Sequence, residues 1–456
     1  MKLAVIAAVS TMALMSSGVV AQEATTSAAP DSAVLTGEAA FGDYTKDAPG
    51  VRRLIKPSDL VPPGVTQSAS NAPGTVPMPQ GAMPQVPSGF NVEMVVSGLT
   101  NPRAIRFAPN GDLFLANSEA GEVRVYRFAN GGAKPSEESV YATGLMQPYG
   151  IAFYPAANPQ WVYVAESNGL KRFAYKAGDL KSTAAPETLF DNINPDHHWT
   201  RDVVFSPDGK TMYYSVGSGS NVGDGTMQRT PEGGLDAWIS GHPLGVAWGE
   251  EERRAAVLAY DPDGKNERYF ATGLRNCAGM TLQEQTGDVW CVVNERDELG
   301  DNVPFDYATS VKDGAFYGWP WFYIGDNPDP RWTDTPRDDL KGKITIPDVL
   351  FQTHSAPLNI TFYNSDAWGP DYKGDAFVGM HGSWNRNSRT GYKVVKLDFD
   401  SSGKPTGEYD DFATGFVIDP ANVWGRPVGV AVAPDGSLFF SEDGSGTVWR
   451  VSKAAQ

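Results

Sequence analysis

The sequence is short of the residues on which several common chemistries depend. Cys277 and Cys291 are its only cysteines in 456 residues, and no CxxC pair or Cys/His cluster occurs, so a zinc site has no support. With no CxxCH segment there is no attachment point for covalent haem, and electrons from any oxidation must pass to a separate acceptor. Lys and Arg number 37 against 54 Asp and Glu, and the net charge of -17 repels phosphate backbones and anionic headgroups, which argues against nucleic acid as a partner. No apolar run reaches the roughly 20 residues of a membrane helix, so no membrane span is expected. Histidines are few: His197, His198, His242, His354 and His381.

What is present begins with MKLAVIAAVSTMALMSSGVVAQ, in which Lys2 precedes a short apolar stretch and small residues end near Ala21. This reads as an export signal over residues 1–21 and predicts a periplasmic or secreted protein. Residues 22–89 are expected to form a flexible leader followed by a Pro/Ser/Gly-rich strap, TQSASNAPGTVPMPQGAMPQVPSG, before a domain spanning 90–456. The 49 glycines and 34 prolines lie between short apolar runs, the distribution expected of many tight turns joining strands. Cys277 and Cys291 flank a predicted hairpin, MTLQEQTGDVW, and are either bonded or two buried thiols.

One motif recurs: a polar loop, an alternating strand, a Pro/Gly or Asp-Gly turn and a second apolar strand. Six copies begin at Asn101, Gln147, His198, Arg275, Ser355 and Gly425, spaced to leave room for outer strands. This predicts an all-β fold, a six-bladed β-propeller of four-stranded antiparallel blades. If each copy is the inner hairpin of a blade, the segment before its first strand and the one after its second meet at one end of the channel. That face collects Arg103, Tyr149, His198, Arg275, Asn276, His354 and Arg426 from the entering loops, and residues 294–297 and 381–386 from the exits. The opposite face carries mainly PNG, PDG and QTG turns, so the first face is the expected site.

A histidine is the side chain suited to taking a hydroxyl proton near neutral pH, which makes His198 or His197 the candidate general base. Arg103, Arg275, Arg386 and Arg426 carry planar forks that pair with carboxylates, and their convergence in an acidic protein implies an anionic ligand. VVNERDELGD offers carbonyl and carboxylate oxygens of the kind calcium prefers, although not at EF-hand spacing. Trp384, Trp319 and Trp321 are candidates for stacking on a sugar ring, with core packing the alternative.

These segments, HWTRDVVFSPDG, GLRNCAG, VVNERDELGDN, YGWP, HSAPL, MHGSWNR with GYKVV, and GRPVGVAVAPDG, together resemble the glucose/sorbosone dehydrogenase family and are most similar to its sorbosone branch. The resemblance runs from about Phe90 to the C-terminus. It implies pyrroloquinoline quinone and calcium on a six-bladed propeller, with hydride transfer from a sugar or sugar aldehyde to the quinone. By the same resemblance His198 is the base and Arg275 and Asn276 contact the quinone oxygens. Arg426 and Arg103 hold its carboxylates, His381 or Arg386 replaces a cofactor-binding lysine, and backbone oxygens near Arg296 and Asp297 hold calcium. His198 keeps the His-to-Arg spacing of the sorbosone branch, whereas His197 keeps that of the glucose branch. Two other functions fit the same propeller: a calcium-dependent lactonase and a non-catalytic carbohydrate- or protein-binding module.

Overall fold

The computed structural model describes residues 33–129 and 132–454, and the expected export signal lies outside them. The six sequence repeats are the inner hairpins of six antiparallel sheets set in a ring, a six-bladed β-propeller. Blade I comprises Pro102–Phe107, Leu113–Asn117, Glu122–Phe128 and Pro135–Thr143. Blade II is Ile151–Tyr154, Trp161–Glu166, Gly169–Ala174 and Glu187–Phe190. Blade III is Val203–Phe205, Met212–Val216, Ala256–Tyr260 and Arg268–Thr272. Cys277–Leu282, Val289–Val293, Tyr307–Val311 and Val349–Leu350 build blade IV. Blade V consists of Pro357–Phe362, Ala376–Met380, Lys393–Phe399 and Pro405–Ala413. Blade VI takes Pro427–Val432, Leu438–Glu442 and Thr447–Lys453, and its outer strand is Phe90–Val96 from the start of the domain. That pairing, with Val92 opposite Val451, completes blade VI from both ends of the domain and ties the two ends of the ring together.

The strands follow from alternation. In Leu438–Glu442 and the second strands of blades I, IV and V every residue is buried, and in blades II and III all but Trp161 and Tyr213 are, because the second strand of each blade has a neighbouring blade on both faces. Close approach of the inner strands depends on glycines at one repeat position. A side chain at Gly279 would meet the Leu358 carbonyl oxygen at 2.4 Å, and one at Gly429 would meet that of Arg103 at 2.5 Å. Cys277 and Cys291 sit on adjacent strands of blade IV with Cα atoms 5.8 Å apart and form a disulfide, which settles the alternative left by the sequence.

Residues 33–89 lie against this ring. Leu35–Thr36 and Arg52–Leu54 extend blade V at its outer edge, with Arg53 opposite Tyr409. Arg53 and Lys393 are fully buried, and both reach Asp411 and Asp47 at 2.7–2.8 Å, so two buried cations are matched by two carboxylates. Two long insertions, residues 217–255 in blade III and 312–348 in blade IV, share a tryptophan-rich core of Trp248, Trp319, Trp321 and Trp332. Trp319 and Trp321 are 1% and 2% exposed there. They pack the insertions and are not available to stack on a sugar.

Candidate functional site

A cavity of about 390 Å³ opens at the loop-bearing end of the channel. Its wall includes Arg103, His198, Trp199, Arg275, Asn294, Glu295, Asp297, Asp306, His354, His381 and Trp384, drawn from blades I, III, IV and V or their connecting loops; Tyr149, Asn276 and Arg426 are not among the lining residues. Most of the face expected from the repeats is therefore assembled.

His198 belongs to a loop braced by two guanidinium groups. Arg201 donates to the carbonyls of His198 at 2.6 Å, Thr200 at 2.8 Å and Asn194 at 3.0 Å. Arg254 donates to those of Asp196, His198, Gly217 and Ser218 at 2.7–3.1 Å. Within this frame His198 Nδ1 lies 3.0 Å from both the carbonyl oxygen and the hydroxyl of Ser218. The hydroxyl already donates to the Ser220 carbonyl at 2.6 Å, and a carbonyl only accepts. Nδ1 must therefore carry the proton, which leaves Nε2 as a bare acceptor. Burial, reinforced by Arg275 and His197, holds the imidazole well below its usual pKa and so neutral. His197 is exposed beside it, its ring centroid 4.3 Å away, and does not line the cavity.

Arg275 is 2% exposed, and its five N–H groups are matched by five acceptors. These are the Asn221 carbonyl at 3.0 Å, the Asn294 and Glu295 carbonyls at 3.2 and 2.7 Å, Asn221 Oδ1 at 2.9 Å and Asp297 Oδ2 at 3.0 Å. It thus holds the exit loop of blade IV in place and adds positive charge to the wall. Asn276 reaches Asn294 Oδ1 at 3.4 Å, while its own Oδ1 is buried without a partner.

Behind the lining residues Arg103 and His381, buried Asp443 gathers three basic side chains. Arg103 Nη1 lies 2.6 Å and Arg426 Nε 2.9 Å from its carboxylate, and His381 Nε2 lies 2.9 and 3.0 Å from its two oxygens. Burial alone would raise the Asp443 pKa, but His381, Arg103 and Arg426 together hold it far below the usual carboxylate range. The Arg103 Nη2 and both terminal nitrogens of Arg426 have no partner among the described residues. Arg103 also packs over Trp199 and Tyr149, at 5.3 and 5.6 Å from the ring centroids.

Arg386 is not part of this wall. Its guanidinium is buried against the carbonyls of Phe41, Gly42 and Asp301 and Asn302 Oδ1. Arg296 is also absent from the lining; its Nε sits 3.1 Å from Asp329 in a buried pair. Glu295 and Asp306 contribute carboxyls that burial raises to about 7 and about 8.

The donor set fits a planar polyanion better than it fits a bare metal ion. Unmatched guanidinium N–H groups of Arg103 and Arg426 are the donors a polycarboxylate quinone requires, and the orphaned Asn276 amide oxygen is an acceptor for a ligand N–H or O–H. For calcium the side chains supply no cage. The Asp297 carboxylate is committed to Arg275, and the described residues contain no group of three His, Cys, Asp or Glu placed to hold a metal.

Sequence reasoning did not single out Asp443, Asp306 or Ser218. The repeat contained a signal for Asp443: it follows the second strand of blade VI as Asn294 and His381 follow those of blades IV and V.

The sequence model of the TrAA12-like family matches residues 84–312 and 325–454. Among curated relatives, an uncharacterised protein of Borreliella burgdorferi is 24% identical over 376 residues, 80% of this chain and 90% of that protein. The pyrroloquinoline quinone-dependent pyranose dehydrogenase of Coprinopsis cinerea is 26% identical over 444 residues, 84% of this chain but only 56% of that protein. Among solved structures, the holo pyrroloquinoline quinone domain of the Coprinopsis cinerea enzyme superposes with a TM-score of 0.65 at 23% identity, covering 82% of this chain and 97% of that domain. The last agreement is one of fold.

Proposed function

This chain belongs to the TrAA12-like family, and on that premise we propose that it is a quinoprotein oxidoreductase that oxidises a sugar or sugar aldehyde with pyrroloquinoline quinone as cofactor. One observation carries the reading: the bare Nε2 of His198 and the incompletely matched guanidinium group of Arg103 line one cavity, and Arg426 is joined to Arg103 through their shared partner Asp443. When bound, the quinone supplies the hydride acceptor. Arg103, Arg426 and Asn276 would hold it by its carboxylates and polar edge, with His381 contributing Nδ1 and Arg275 its charge. His198 Nε2 takes the proton from the substrate hydroxyl, and the neutral ring that burial enforces keeps it competent as a base. Ser218 fixes the tautomer, and the bracing by Arg201 and Arg254 fixes the ring's approach. No step is assigned to calcium.

The lactonase alternative needs channel calcium held by the protein alone, and the commitment of Asp297 to Arg275 disfavours it. Export to an oxidising compartment is part of the proposal and is supported by the Cys277–Cys291 disulfide. Electrons then leave to an external acceptor. The test is to mix the purified protein with pyrroloquinoline quinone and calcium, record the quinone absorbance, and follow dye reduction with aldoses, osones and deoxysugars. Dye reduction that disappears in His198→Ala is expected, and failure to bind the quinone overturns the reading.

A further inference from the structure

Trp384 is the one tryptophan of the chain that is exposed, at 45%, and it lines the same cavity as His198 and Arg275. Among the described residues its indole makes no contact with another ring or cation, and its N–H has no partner. An aromatic face left bare at the lip of a polar cavity gains nothing for folding and presents an apolar plate with one donor at its rim.

The backbone beneath the ring is held firmly. Asn71, from the segment that the sequence marks as a Pro/Ser-rich strap, donates its N–H to the Trp384 carbonyl at 2.7 Å. Its side-chain amide donates to the Arg386 and Asn387 carbonyls at 3.2 and 2.9 Å. Arg389 returns to Asn71 through the Asn71 carbonyl at 2.9 Å and Oδ1 at 3.2 Å, and Asn385 donates to the Ala69 carbonyl. The strap thus fixes where the indole stands while leaving the ring bare, so a ligand meets a platform that needs little ordering on binding.

We propose that Trp384 is a stacking platform for an uncharged pyranose ring delivered to His198, and that Asn71 is the positioning residue that holds it. A pyranose has a C–H face that covers an indole and equatorial hydroxyls that accept from its N–H; an open three-carbon aldehyde has no such face. The inference rests on the sugar-oxidising reading above and sharpens it to ring substrates.

The test compares the reconstituted holoenzyme with its Trp384→Ala, Trp384→Phe and Asn71→Ala variants, using glucose-type pyranoses and glyceraldehyde as substrates. For Trp384→Ala the pyranose KM is expected to rise about tenfold relative to the glyceraldehyde KM, the scale of one lost aromatic contact, with kcat for the pyranose changed less than about threefold. Trp384→Phe is expected to restore most of the affinity, and Asn71→Ala to shift the same ratio in the same direction by less. Equal rises for both substrates, an unchanged pyranose KM, or weaker quinone binding by absorbance titration would each overturn the platform role. A wild-type protein that binds no quinone would instead overturn the underlying reading, so the two failures are distinct.

Discussion

His198 Nδ1 stands 3.0 Å from the Ser218 carbonyl oxygen, and because the Ser218 hydroxyl is turned toward Ser220, this contact determines which ring nitrogen faces the cavity as a base. The consequence is a pH profile. Burial depresses the His198 pKa, so the neutral base persists as the pH falls through 6.5. The acid limb of kcat/KM is expected well below 6.5, and a limb at 6.5–7 would show that another group is the base. His198→Ala should lower kcat by about 100-fold or more, the scale of a lost general base, and His197→Ala by less than about threefold.

The linkage for stability has the same origin. A group whose protonation is suppressed in the folded state loses stability as the pH drops below its unfolded pKa, because the unfolded chain then takes up the proton. The contribution of His198 is complete above about 6.5 and declines below it.

Asp443 offers a second test. It is 1% exposed and is the shared partner of Arg103, Arg426 and His381. Asp443→Ala leaves the buried Arg103 unpaired and should cost about 3–5 kcal/mol in urea unfolding at pH 7. Since the folded pKa of Asp443 is depressed, its stabilisation is present at neutral pH and is lost as the pH falls below about 4. The deficit of the variant should therefore shrink on acidification, and a deficit independent of pH would mean that packing, not charge, is what the residue supplies.

Calcium separates the protein's own ligands from those a cofactor brings. With Asp297 paired to Arg275 and no cage of side chains, the apoprotein is expected to bind calcium no more tightly than about millimolar by calorimetry. Micromolar binding without quinone would contradict the absence of a cage, favour calcium at the backbone oxygens near Arg296 and Asp297, and revive the lactonase reading.

The Cys277–Cys291 disulfide closes a short loop, 14 residues apart in sequence, between neighbouring strands of blade IV. Its loss should lower stability by about 3 kcal/mol, visible as an earlier urea midpoint for Cys277→Ala/Cys291→Ala under oxidising conditions. Because Asn276 and Arg275 precede Cys277 directly, weaker quinone binding by the double variant is also expected.

Some of this molecule is written locally. Alternating apolar residues ending in Pro-Asp-Gly or Gln-Thr-Gly turns specify a hairpin without reference to the rest of the chain. Six such hairpins, each with one face to bury, have a ring as their solution, so the blades and the end of the channel that carries the polar loops were legible in the sequence. Other features depend on partners far along the chain. His198 is set apart from His197 by Ser218, Arg201 and Arg254, and Arg386 left the cofactor face because Phe41 and Gly42 offered it carbonyls. Trp319 and Trp321 were buried where the blade IV insertion packs on that of blade III, while Trp384 was held at the lip by Asn71. Periodicity reports what a segment can bury but not which distant group will satisfy a given side chain, and hydrogen-bond matching in a low-dielectric interior decides that only once the ring has closed.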